Sequence, residues 1–238
     1  MLFTFRREDF NLNKFEKIAI DYLNKNKNAF LQEYTTNINP IDEKIAIFTA
    51  GMSGVGKTEL SIFFKETNPN FLHIDTDNIS DFFKPVGYDG QNSDLFQKAS
   101  SRGFNELFNY SLKQGFSIIL DSNLSNVDLA IQNIERLLKR DYNVDIYYIY
   151  NNPKVCFEYA TRREVVTHRK VPKDVFIRSN INSYNTVLEL KSIFKESINL
   201  HFIDKENDSF YKNVDVAFII NKIGEKFRNF LRIIKNIK

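Results

Sequence analysis

Between a short apolar run and a helical one, the chain carries Gly51-Met52-Ser53-Gly54-Val55-Gly56-Lys57-Thr58. Few folds accommodate that spacing. Glycines let successive backbone N–H groups turn inward into an anion cradle, and the helix that follows adds its positive N-terminal end. In such a loop the lysine reaches the β and γ phosphates of a nucleotide and the threonine hydroxyl can ligate Mg²⁺. The pattern therefore points to ATP or GTP with magnesium. Nucleotide contacts are assigned to Gly51, Ser53, Gly54, Val55, Gly56, Lys57, Thr58 and Glu59.

The loop needs a strand before it and a helix after it, and the flanking residues supply both: an apolar, β-branched run over 44–50 and a helical pattern over 58–65. The alternation continues down the chain. Strands are predicted at 71–74, 116–120, 144–150 and 200–203, and helices at 94–113, 126–140, 153–164, 173–197 and 214–237. Strands alternating with helices imply a mainly parallel sheet covered on both faces. The expected fold is α/β, a three-layer P-loop kinase-like architecture. Residues 8–34 read as one helix, ended by the polar stretch before Pro40. The organisation is thus an N-terminal helical extension over 1–40 packed on the core, a kinase core over 41–205 and an amphipathic C-terminal helix over 206–238.

Composition narrows the function classes. A net charge of +3 with pI near 8.7 is too mild to argue for nucleic acid. The single cysteine, Cys156, excludes an intramolecular disulfide, and Arg6, Arg7, Glu8 and Asp9 interrupt any signal-peptide pattern. No apolar run is long enough to span a bilayer, so a cytoplasmic protein is expected. The 23 phenylalanines, with no tryptophan, predict an aromatic core. The last helix places Val216, Ile219, Ile220, Ile223, Phe227, Phe230, Leu231 and Ile234 on one face opposite lysines and arginines. Packing on the domain is the ordinary use of such a face, and a membrane surface or partner the other.

Acids follow the loop. His73-Ile74-Asp75-Thr76-Asp77 ends the second strand, where alternation puts Asp75 and Asp77 on one side by the ligand crevice. Asp77 is placed to take the proton of an attacking hydroxyl, with Asp75 beside it toward the substrate. The plainer reading is that Asp77 caps a helix starting near Asn78. Ser117-Ile118-Ile119-Leu120-Asp121 is an apolar strand ending in an acid, so Asp121 either holds magnesium or orients substrate. Two basic clusters, Arg162-Arg163 and His168-Arg169-Lys170, flank a short break over 162–173 and look like a lid. Arginines closing over a transferred phosphoryl group stabilise its spread charge, and a solvated helix end is the alternative.

With these residues in view, the chain resembles the zeta toxins, the kinases of the epsilon/zeta toxin–antitoxin systems. The likeness runs from about Ile45 to Ile203. Lys57 and Thr58 match the family's phosphate loop, and Ile74-Asp75-Thr76-Asp77 resembles its I-D-x-D element, whose second aspartate is the general base. Ser100-Ser101-Arg102 resembles a substrate-side S-N-R segment, which assigns Arg102 to the substrate. Gln114-Gly115-Phe116 leading to Asp121 resembles its Q-G-Y strand ending in an acid, and His168-Arg169-Lys170-Val171-Pro172 its lid. By position Arg162 and Arg169 correspond to the two phosphate-facing arginines, with Arg163 and Arg178 as substitutes.

The resemblance implies phosphorylation of a UDP-N-acetylsugar, ATP and Mg²⁺ as cofactors, and a protein antitoxin that obstructs the nucleotide site. One departure stands out: Asp121-Ser122-Asn123 occupies the place of Glu-Gly-Thr, so a shorter acid and Asn123 meet the substrate. Two other readings share the motifs. One is a P-loop kinase of a nucleoside, a nucleic-acid end or an antibiotic. The other is a nucleotide-binding interaction module with little turnover, against which the intact Lys57, Thr58 and Asp77 argue. An N-terminal helix lying in the nucleotide site in cis is a further possibility, with packing on the sheet edge as the ordinary one.

Overall fold

The apolar run before the glycine loop forms strand β1 (Ile45–Gly51), buried along nearly its whole length. A strand enclosed on both faces belongs at the centre of a parallel sheet, and β1 lies there. The computed structural model describes residues 7–167 and 172–235. In it β2 (Leu72–Asp75), β3 (Ile118–Asp121), β4 (Asn143–Tyr150), β5 (Asn199–Asp204) and β6 (Ser209–Tyr211) complete one sheet, ordered β2-β3-β1-β4-β5-β6. β1 to β5 are parallel and β6 pairs antiparallel to β5. The expected fold class is the one observed. The register sets Thr49 and Asp75 on either side of Asp121, so the carboxyl ends of three strands present polar side chains at one edge.

Helix α3 (Lys57–Thr67) covers one face, where Ile47, Phe71 and Ile119 are buried with Phe64 against them. Helices α5 (Ser93–Gln114), α6 (Val127–Leu138) and α8 (Lys173–Phe194) pack on the other face. Helix α7 (Pro153–Thr167) opens with proline, whose missing N–H costs nothing in a first turn. Helix α9 (Val216–Lys235) lies on α8, with the Phe227 and Tyr184 rings stacked 4.0 Å apart and Ile219 and Ile223 buried. The described part of its apolar face thus packs on the domain. The side chains of Phe230, Leu231 and Ile234 lie outside the described residues.

The N-terminal pattern differs from expectation in two ways. The single predicted helix is two, α1 (Arg7–Lys25) and α2 (Lys27–Thr35), broken at Asn26, whose side-chain amide bonds back to Tyr22 O at 2.9 Å. The pair also packs on α5 and the 3-10 turn Asp81–Val86, whereas packing on the sheet edge was expected. Phe15 meets Phe96, Tyr22 meets Phe82, and the Phe30 ring meets Phe82 edge-on at 4.9 Å. Three short elements escaped the periodic reading: β6, the 3-10 turn, and α4 (Thr76–Ser80).

Candidate active site

The glycine loop takes its shape from two close approaches. Gly54 has φ +76°, and a Cβ there would collide with Cys156 O and the Ala160 backbone N of α7. Gly56 has φ +95°, and a Cβ there would strike the ammonium of Lys205. Any L side chain would thus meet both strain and contact. The loop's root is held from α8, where Ser183 Oγ accepts from Gly51 N at 3.1 Å. Lys57 Nζ donates to Gly51 O at 3.1 Å and Met52 O at 2.7 Å. Burial pulls the Lys57 ammonium down to about 8, partly opposed by the charge of Asp121.

Asp121 ends β3 beneath the loop. Its Oδ1 accepts from Thr49 Oγ1 at 3.1 Å, while Oδ2 is buried with no hydrogen-bond partner. A buried carboxylate oxygen left so is costly and marks a position where a cation or donor fits. Thr58 opens α3 in the same cleft, so the pair suits a magnesium ion bound largely through phosphates and water. No cluster of three His, Cys, Asp or Glu side chains is present among the described residues.

The acids of β2 are arranged differently from the expected alternation. The strand ends at Asp75, and Asp77 sits in the first turn of α4. The cap is Asp75, whose Oδ1 accepts from Asp77 N at 3.0 Å; Asp77 itself is not the capping residue. Burial, then the charge of Asp77, raises the Asp75 carboxyl to about 6. Capping leaves the Asp77 carboxylate directed into the cleft, where Oδ2 accepts from Arg163 Nη2 of α7 at 3.0 Å. From behind, Tyr34 Oη of α2 donates to Asn78 O at 2.9 Å, so the N-terminal extension braces α4.

These groups line one cleft of about 1350 Å³, beyond the usual range for one small ligand and large enough for two. Its nucleotide side holds Ser53 to Glu59, Tyr159, Arg162, Arg163, Lys205 and Asp208. Its other side holds Gln97, Ser101, Phe104 and Asn105 from α5, with Ser122, Asn123 and Leu129. Asn123 Oδ1 accepts from Ser125 Oγ at 2.9 Å. Arg162 lies over the Tyr159 ring, 5.9 Å from its centre.

Two of the arginines expected at the site are placed otherwise, and a third is not described. Arg102 is exposed and absent from the cleft lining, because Gln97, Ser101 and Asn105 define the inward face of α5 at a spacing of four and Arg102 falls off it. Arg178 is exposed and pairs with Asp174 along α8 at 3.4 Å. Arg169 lies outside the described residues, as do His168, Lys170 and Val171. The polar spacing on α5 was available as a signal before the structure. Lys205 was marked only by standing one residue past the carboxyl end of β5.

A glycine loop between a central parallel strand and a helix, with acids at neighbouring strand ends, defines a P-loop kinase, a phosphotransferase acting on a hydroxyl group. Within that class the chain belongs to the zeta toxin family, whose model matches residues 28–215. Membership implies ATP use. Among solved structures, one from the PezAT chromosomal toxin–antitoxin system of Streptococcus pneumoniae superposes with a TM-score of 0.66 at 14% identity, over 91% of this chain and 98% of the other. A chain of the AvrRxo1-ORF1:-ORF2 complex with ATP superposes at 0.62 with 14% identity, over 91% and 72%. At that identity the likeness is one of fold. No match is found among curated protein sequences. No helix among the described residues is long and apolar enough to cross a membrane.

Proposed function

We propose that this kinase transfers the γ-phosphoryl group of ATP to a hydroxyl of a UDP-N-acetylsugar, with Asp77 as the base, acting in the cytoplasm as the toxin of a toxin–antitoxin pair. The observation that carries the reading is the shared cleft, in which the Asp77 carboxylate and the Lys57 loop face the same space. Lys57, relieved of its loop carbonyls, meets the β and γ phosphates. Asp77 accepts the hydroxyl proton as the oxygen attacks phosphorus, and Arg162 with the lid arginine Arg169 neutralises charge on the transferred group. Arg163 ties the base to the lid helix. Thr58 and Asp121 would hold a magnesium ion, which would supply further neutralisation of the phosphates. Asp75 keeps α4 at its angle, and Asn123 contacts the sugar.

The acceptor wall supports a sugar. Gln97, Ser101, Asn105 and Asn123 offer neutral donors and acceptors, and Phe104 and Leu129 an apolar surface. The outward turn of Arg102 favours a second reading, an uncharged sugar or nucleoside acceptor, because the cation that would meet a diphosphate is directed away. A protein antitoxin covering the cleft is the proposed partner, supported by the two-protein systems to which both structural neighbours belong. The test is mass spectrometry of UDP-sugars, free sugars and nucleosides incubated with ATP and Mg²⁺. UDP-N-acetylglucosamine is expected to gain one phosphoryl group with the wild type, and Asp77→Asn to slow that step about 10²- to 10⁴-fold. Phosphorylation of an uncharged acceptor alone would establish the second reading, and full activity of the Asp77→Asn variant would remove the base assignment.

A further inference from the structure

Lys205 follows directly on Asp204, the last residue of β5, at the edge of the sheet where the phosphate loop opens. Its backbone is fixed by Lys205 N donating to Tyr150 O at 2.9 Å. The turn that follows is fixed as well. Buried Asp204 accepts from Glu206 N at 3.1 Å, Asn207 N at 3.3 Å and Asn207 Nδ2 at 2.7 Å, and β6 then returns along β5. The lysine is therefore carried on a braced hairpin rather than a loose loop.

Its side chain extends from that hairpin across the cleft to Gly56, close enough that a Cβ on Gly56 would meet the ammonium. The acids nearest in sequence do not neutralise it. Asp204 is spent on the turn, and Glu206 pairs with Lys226. No hydrogen bond or ion pair engages Lys205 Nζ among the described residues. Glu59 Oε2 also approaches Gly56 but forms no ion pair with Lys205, so a cation set against the inward-turned glycines of an anion cradle has one evident class of ligand.

We propose that Lys205 is a second phosphate-binding cation of this site, reaching from the β5 edge to the nucleotide phosphates beside Gly56 and raising affinity for ATP. Lys57 enters from α3 and Lys205 from the hairpin, so the phosphates are held between charges on two separate elements. This rests on the loop being the ATP site, and the experiment separates the two claims.

ATP binding is measured by titration calorimetry for the wild type, Lys205→Met and Lys205→Arg, with thermal unfolding as a control. The exposed side chain makes no bond that folding needs, so melting is expected to stay within a few degrees. Lys205→Met is expected to bind ATP about tenfold more weakly, the scale of one charge-assisted hydrogen bond, and Lys205→Arg to recover most of the loss. Binding by Lys205→Met within threefold of the wild type would overturn the proposal. So would equal weakness of the methionine and arginine variants, since charge would then not be the cause. Absence of ATP binding to the wild type would overturn the nucleotide reading itself and this proposal with it.

Discussion

The two walls of the cleft are built from different materials. The nucleotide wall has a main-chain frame, with glycines at positive φ, the first turn of α3 and the α7 backbone pressed against Gly54, to which Lys57, Arg162, Arg163 and Lys205 add charge. The acceptor wall is side chain throughout, with Gln97, Ser101, Phe104 and Asn105 on one helix face and Asn123 and Leu129 opposite. The glycine positions of that frame tolerate substitution poorly, because a side chain there meets both an unfavourable φ and close neighbouring atoms. A wall of amides and hydroxyls can be re-specified one residue at a time while the fold stands. The first wall therefore declares a class of reaction, and the second chooses a molecule.

The sharpest way to break this contrast is Gly54→Ala. A left-handed conformation costs an alanine roughly 1–2 kcal/mol, and the backbone atoms of Cys156 and Ala160 leave no room for the methyl group, adding roughly 1–3 kcal/mol of overpacking. Melting is expected to fall by roughly 5–15 °C, with ATP binding lost alongside it. A variant that melts and binds ATP like the wild type would show that the loop does not depend on its backbone contact with α7.

The acceptor wall is expected to respond more mildly and selectively. Asn105→Ala, at an exposed position facing the cleft, is expected to raise the KM for the acceptor about tenfold, the cost of a lost hydrogen bond. The KM for ATP and the melting temperature are expected to hold. Arg102→Ala, three residues earlier on the same helix but turned outward, is expected to change none of the three. Steady-state kinetics on both variants decides the point, and a reversed pattern would restore Arg102 to the substrate.

The same division explains how much the sequence revealed. The phosphate loop, the parallel sheet and the order of its main elements follow from spacing and period, which are properties of the backbone. The acids show where that reasoning stopped. Period-two alternation carried β2 through Asp77, whereas Asp75 hydrogen-bonds Asp77 N and starts a helix of five residues, too short to leave a periodic mark. Arg102 was assigned from its place in a linear motif, and helical phase turned it away. Lys205 and the bracing of α4 by Tyr34 depend on segments distant in sequence, which a scan along the chain does not bring together. The lid assignment to Arg169 lies outside the described residues.

The smallest expected effect lies at the seam between the walls. Asp75 is largely removed from water and faces the charges of Asp77 and Asp121, which together raise its carboxyl from the ordinary carboxylate range to about 6. The native state therefore holds the Asp75 proton more tightly than the unfolded chain does. Its stabilising contribution is complete below about pH 4, declines as the unfolded carboxyl ionises, and is gone once pH passes the folded value near 6. A shift of this size corresponds to about 3 kcal/mol at most, and solvent at the cleft edge reduces it to the order of 1–2 kcal/mol. Other carboxylates titrate over the same range, so the quantity to follow is the difference in melting temperature between wild type and Asp75→Asn. Asparagine also caps helices, which keeps the Asp77 N–H satisfied while removing the titration. The wild type is expected to lose roughly 3–6 °C relative to the variant between pH 4 and pH 7. A difference that stays flat, or grows in favour of the wild type, would mean that Asp75 is not held under strain by its neighbouring acids. The acceptor wall would then meet the nucleotide wall without an electrostatic cost, and the charge at the seam would no longer separate them.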